Sequence, residues 1–113
     1  MSKYNNKITY IDGIKFDSLA EYDRYLELKC LECAGEINSL KLQPRFDFIM
    51  PINGWDSIIP TKKIFTYKAD FSYYKKDKVS PTIEDVKGFE TAVFKLKKKL
   101  IEALYNIKIE LIK

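Results

Sequence analysis

A chain of 113 residues and 13.3 kDa has room for one core and one site, so residues 1–113 are read as a single domain. With 46% hydrophobic and 32% charged residues it suits a compact globular fold, and 4 Gly with 4 Pro are too few for a linker or collagen-like protein. The formal net charge is +4 and histidine is absent, which excludes Ser-His-Asp and Cys-His triads and His-ligated metal centres.

The first ten residues are polar, and no apolar run approaches the length of a signal-peptide core or a membrane span. A cytoplasmic protein with no membrane partner is expected. Charge is uneven along the chain: residues 1–60 carry 7 basic and 9 acidic groups, residues 61–113 carry 13 and 7. An electropositive C-terminal half suits a polyanionic partner.

Thr9 to Phe16 alternates around Asp12-Gly13, a strong local hairpin signal. Ser18-Leu19-Ala20-Glu21 has the S-x-x-E form of a capping box and opens a predicted helix to about Ala34, where Gly35 supplies a left-handed residue. Tyr22, Leu26, Cys30 and Cys33 fall on one stripe of it. The two cysteines have no second pair and no histidine to complete a metal site. They also sit at the end of the helix, away from the N-terminal dipole that lowers a thiol pKa, and are read as helix residues one turn apart.

From Leu40 to Met50 the period becomes two, with Leu40, Leu42, Phe46, Phe48 and Met50 opposite Lys41, Gln43, Arg45 and Asp47. Pro44 suggests an edge or a bulge in that strand. Pro51 to Pro60, with Asn53-Gly54 and Trp55, reads as a hairpin connection. A second strand covers about Lys63 to Tyr74, where Phe65, Tyr67, Ala69, Phe71 and Tyr73 share one face and Asp70 takes the other.

Thr82 to Lys87 makes a third strand, closed by Gly88, with Asp85 and Lys87 pointing the same way. Thr91 caps a second helix to about Tyr105, whose expected seam is Val93, Leu96, Leu100 and Leu104, with Lys95, Lys98, Lys99 and Glu102 outside. Lys97 falls inside this seam and must snorkel or reach a polar pocket. Ile107 to Leu111 alternates as a last strand. The order is hairpin, α, β, β, β, α, β.

Three positions stand out chemically: Asp70 on the second strand, and Asp85 and Lys87 on the third. In an antiparallel pairing their polar faces converge. Two adjacent carboxylates are costly unless a cation neutralises them, and hard oxygen ligands suit Mg²⁺ or Mn²⁺. A lysine beside such a site could hold an attacking water or take its proton. The plainer alternative is a cross-strand ion pair between Asp70 and Lys87, with Asp85 solvated.

This arrangement, an α-β-β-β-α-β unit with an acid in the second strand and D-x-K in the third, resembles the restriction-endonuclease-like core of the PD-(D/E)XK nuclease superfamily. It is also similar to a small phage-encoded family within it. That likeness runs through Ile11-Asp12-Gly13-Ile14-Lys15-Phe16-Asp17-Ser18 with Glu21, Leu42-Gln43-Pro44, Ala69-Asp70-Phe71, Glu84-Asp85-Val86-Lys87-Gly88 and Val93-Phe94-Lys95-Leu96-Lys97. Ala69 stands where the superfamily often has proline.

The resemblance implies a mixed central sheet flanked by two helices, behind an N-terminal β-hairpin. It implies that Asp70 and Asp85 ligate Mg²⁺, with Mn²⁺ as a substitute, that the Val86 carbonyl completes the protein ligands, and that Lys87 positions or activates the water. Many members also place a glutamate of the first helix in the site, which is Glu21 here, a residue the capping box explains equally. Gln43 is a candidate for binding substrate or water. Lys95, Lys97, Lys98 and Lys99 are candidates for DNA phosphate contacts, and Trp55 for a wedge into branched DNA or a dimer contact.

The function expected is a metal-dependent DNA endonuclease, selective for DNA structure as junction resolvases are, with no small-molecule cofactor. Its partners would be DNA and either a second copy or a phage protein. The alternatives are a catalytically idle nucleic-acid-binding or scaffold domain on the same fold, and a phage protein that binds a host protein.

Overall fold

The computed structural model describes residues 9–11, 13–51, 61–87 and 89–112. The expected connection at Asn53-Gly54 and Trp55 lies outside the described residues, as does Gly88. β1 (Thr9–Ile11) and β2 (Ile14–Phe16) pair antiparallel across Gly13, whose φ of +80° is the conformation glycine adopts freely. α1 (Leu19–Cys33) starts at Ser18, whose hydroxyl accepts the Glu21 N–H at 3.1 Å, and gives way to Gly35, also at φ +80°.

The chain continues through β3 (Ile37–Leu42), β4 (Arg45–Pro51), β5 (Thr61–Lys68), β6 (Phe71–Lys75) and β7 (Thr82–Val86). α2 (Ala92–Tyr105) is capped by the Thr91 hydroxyl and ends at Asn106 in the left-handed region, and β8 (Ile109–Ile112) follows. β3, β6, β7 and β8 form a mixed sheet in that order. The first two joins are antiparallel, and β7–β8 is the parallel join that α2 crosses over. β4 and β5 make a separate two-stranded arm.

The two long strands predicted from alternation, Leu40 to Met50 and Lys63 to Tyr74, are each broken once, at the same level. Gln43, at φ +53°, and Pro44 interrupt the first, and Ala69-Asp70 the second. The Gln43 N–H donates to the Asp70 carbonyl at 2.8 Å, and the Ala69 N–H to the Pro44 carbonyl at 3.0 Å. Pairing therefore keeps its register through the bend, from Leu42·Phe71 to Arg45·Lys68.

The bend changes which face each side chain meets. Tyr67 and Ala69 join Ile83, Ile101 and Ile109 in the core beneath α2, with Phe46, Phe48, Phe65 and Phe94 around it. Phe71 and Tyr73 instead join Leu28 and Ile37 beneath α1, with Tyr25, Leu42 and Val86. The single aromatic face expected over residues 65 to 73 is thus divided between the two sides of the sheet, because alternation holds only along an unbroken strand. The Tyr105 hydroxyl donates to the Asp47 carbonyl at 2.7 Å and ties the arm to the end of α2.

Both helices are rotated from the orientation their apolar spacing predicts. On α1 the buried residues are Glu21 and Leu28, while Leu26, Cys30 and Cys33 are exposed. The cause is Arg24, which reaches a buried carboxylate on β7 and turns that face inward. On α2 the buried residue is Ile101, Phe94 packs on Tyr67, and Val93 and Leu96 are 61% and 58% exposed. Lys98 and Glu102, expected outside, turn inward. They form an ion pair at 3.2 Å, and Glu102 Oε2 also accepts the Ile109 N–H at 2.7 Å, which fixes the helix on β8.

The architecture is α/β, a mixed sheet with one helix on each face. Among the described residues no helix is long and apolar enough to cross a membrane.

Candidate functional site

α1 is held on the sheet by one buried two-point contact. Arg24 Nε and Nη2 donate to Glu84 Oε1 and Oε2 at 2.8 and 2.6 Å, and the Tyr73 hydroxyl also donates to Glu84. The Glu84 side chain is only 1% exposed. Its carboxylate holds the guanidinium pKa above the ordinary arginine value, and burial followed by Glu84 pushes the Tyr73 hydroxyl up. Glu84 therefore faces α1. Its neighbour Asp85 faces α2, as strand alternation requires.

Asp85 is 2% exposed and accepts a hydrogen bond from the Tyr67 hydroxyl. The β6–β7 ladder ends at Phe71·Glu84, and Asp70, at the break just before it, donates its N–H to the Glu84 carbonyl at 3.0 Å. Asp70 Oδ2 accepts the Val86 N–H at 2.7 Å, and the Asp70 carboxyl also reaches that of Asp85. Burial first, and then the Asp85 charge, push the Asp70 pKa up to about 8. A hydrogen bond between two carboxyl groups needs a proton on one of them, the place a bound cation would otherwise take. None of the ion pairs among the described residues includes Asp70 or Asp85. The expected alternative, an Asp70–Lys87 ion pair beside a solvated Asp85, is therefore not what forms.

Glu21 joins from the start of α1. The helix cap uses its peptide N–H, which leaves the 5% exposed carboxylate free to take the Asp17 N–H and to reach the Asp70 carboxyl. Burial and then the Asp17 charge raise its pKa, against a smaller lowering by Lys68. Glu21, Asp70 and Asp85 thus form a row with Asp70 in the middle.

Lys87 projects on the same side as Asp85, with Nζ 4.8 Å from the centre of the Phe94 ring. Lys97 rests over Phe65 at 5.4 Å, so it covers the arm with its stem and meets an aromatic face. Lys98 is held by Glu102, and Lys95 and Lys99 are exposed. Gln43 lies beside Asp70 through its backbone, but its side-chain amide donates to the Lys15 carbonyl at 3.1 Å and fastens β2 to the bend.

Arg24, Tyr67, Tyr73 and Glu84 escape a reading based on motif spacing. One signal points to them. Glu84-Asp85 places two acids in succession within an apolar strand, so each face of the sheet receives a buried charge that needs its own partner.

The donor chemistry fits a hard divalent cation: two oriented aspartates side by side, neither in an ion pair among the described residues. Mg²⁺ is commonly held by one or two carboxylates plus water and substrate. A cage of three or more such side chains is not present among the described residues. A family model described as "Protein of unknown function (DUF1064)" matches residues 1–113. Searches of the curated proteins and of the solved structures each found no match.

Proposed function

The chain belongs to the DUF1064 family, whose description assigns no activity, and we propose that it is a Mg²⁺-dependent DNA endonuclease on a restriction-endonuclease-like core. The observation that carries this reading is the contact between the half-buried Asp70 and the buried Asp85, neither of which is in an ion pair among the described residues, with Lys87 following on the Asp85 side. Two carboxyls held together away from water need a shared proton or a cation in its place. Such a pair has a clear use in holding a divalent cation.

Asp70 and Asp85 would hold the ion, with the Val86 carbonyl as the third protein donor and Mn²⁺ as a substitute metal. When bound, the ion supplies charge neutralisation at the phosphate and a more acidic water. The Tyr67 hydroxyl and the Val86 N–H fix one oxygen of each aspartate, so that little reorganisation is needed. Lys87 Nζ would hold the attacking water or take its proton, and Glu21 would orient a second water through Asp70. The element order, α1 before the Asp70 hairpin and α2 crossing to a parallel last strand, supports the same superfamily likeness.

The test is cleavage of labelled linear, flapped and four-way-junction DNA with Mg²⁺, with Mn²⁺ and with EDTA, alongside Lys87→Ala and Asp85→Ala. Metal-dependent cutting lost in both variants is expected, with Asp85→Ala binding DNA as well as or better than wild type. The placement of Lys87 on Phe94 rather than on the carboxylates favours a second reading, an idle nucleic-acid-binding or scaffold domain. Binding without cutting on every substrate would select it.

A further inference from the structure

A like-charge pair lies just before the carboxylates, with Lys68 two residues ahead of Asp70 in the chain. Arg45 on β4 stands directly opposite Lys68 on β5, next to the bend. Both are exposed, and neither takes part in an ion pair among the described residues. Like charges opposed across strands cost stability, and no ion pair among the described residues offsets this one. Lys68 also lies close enough to Glu21 to lower its pKa, which places the pair beside the carboxylate row.

The pair belongs to a longer basic face. The inner side chains of the arm, Phe46, Phe48, Phe65 and Tyr67, pack toward α2, so the outer face carries Arg45, Asp47, Thr66 and Lys68. Asp47 is engaged by the Thr66 hydroxyl at 2.7 Å. A register shift after Phe48 brings Ile49 opposite Lys63 and returns Lys63 to this side. From Lys63 to Lys68 the face extends roughly 17 Å at about 3.3 Å per residue.

We infer that this outer face of the β4–β5 arm, through Arg45, Lys68 and Lys63, binds the phosphate backbone of duplex DNA and leads it to the carboxylate row. The inference rests on the nuclease reading for its destination and moves the binding surface from α2 to the arm. Two of the four α2 lysines have partners: Lys97 covers Phe65, and Lys98 is paired with Glu102. A face with three cations against the single anion Asp47, and no base-reading amide among the side chains named, responds to charge density. Duplex DNA offers a phosphate about every 1.7 Å along its axis, denser than a single strand. Recognition should be independent of sequence.

The experiment is fluorescence anisotropy of a labelled DNA duplex against the full chain in EDTA, over a range of salt, with Arg45→Ala/Lys68→Ala and, as a control far along the sheet, Lys78→Ala. The double variant should bind at least about tenfold more weakly, and the slope of log K against log salt should flatten by about 2. Its thermal midpoint should be equal or higher, because a repulsive pair is removed, which separates a binding role from a structural one. Lys78→Ala should match wild type.

Wild-type affinity in the double variant, or no binding by wild type, would overturn the inference. Equal affinity for a single strand of the same length would overturn the duplex assignment. Arm-dependent binding with no cleavage under Mg²⁺ or Mn²⁺ would instead defeat the nuclease reading and leave the binding face standing.

Discussion

Asp70, at the break before the last β6–β7 pair, brings its carboxyl to that of Asp85, and in this setting it holds a proton up to about pH 8. An unfolded chain releases that proton near the ordinary aspartate value of 3.8. Between these limits the folded protein binds more protons than the unfolded one, so stability falls as pH rises through the window, by at most about 1.4 kcal/mol per pH unit. Glu21, raised as well, acts in the same direction. Urea unfolding across this range should show the midpoint declining with pH, and Asp70→Asn should flatten the decline. If the variant keeps the full wild-type slope, the proton resides elsewhere.

A divalent cation and that proton compete for the same oxygens. Mg²⁺ should therefore raise the thermal midpoint more at about pH 8.5 than at about pH 6, since less proton has to be displaced. Asp85→Asn should lose most of the shift while remaining folded by circular dichroism. A shift of equal size in the variant would locate the metal away from Asp70 and Asp85.

Removing Arg24 would leave the Glu84 charge buried without its partner. Arg24→Ala is expected to cost about 3–5 kcal/mol in urea unfolding, whereas replacing both partners, as in Arg24→Met/Glu84→Leu, should recover most of it. Tyr73→Phe removes one further donor to Glu84 and should cost about 1 kcal/mol. A single Arg24→Ala loss under about 1 kcal/mol would mean that the ion pair does not anchor α1.

Local rules carried the element boundaries. Ser18, Gly13, Gly35 and Thr91 act within a turn or so of their own position, and the hairpin, the start of both helices and the end of α1 fall where those residues place them. Alternation also carried Asp85 and Lys87 onto one side. Periodicity failed where a distant contact outweighed it: Arg24 rotated α1 away from its Leu26–Cys30–Cys33 stripe, and Glu102 with Phe94 rotated α2 away from Val93 and Leu96. Neither contact is encoded within a few residues of the helix it turns. The break at Ala69-Asp70 was hidden for a different reason. Neither residue forbids a continuous strand, and the interruption comes from Gln43-Pro44 on the neighbouring one, where proline has no N–H to donate.

The bend at Gln43-Pro44 and Ala69-Asp70 joins the arm to the sheet by hydrogen bonds as well as by the chain itself. The Asp70 carbonyl is held from the β3–β4 side by Gln43, and its amide donates to the Glu84 carbonyl on β7 at 3.0 Å. Asp70 is thus a shared rivet between two layers of the molecule. An opening that peels the arm away at its root must loosen the same peptide that sets the carboxylate row, so fraying there and disassembly of the row form a single event rather than two.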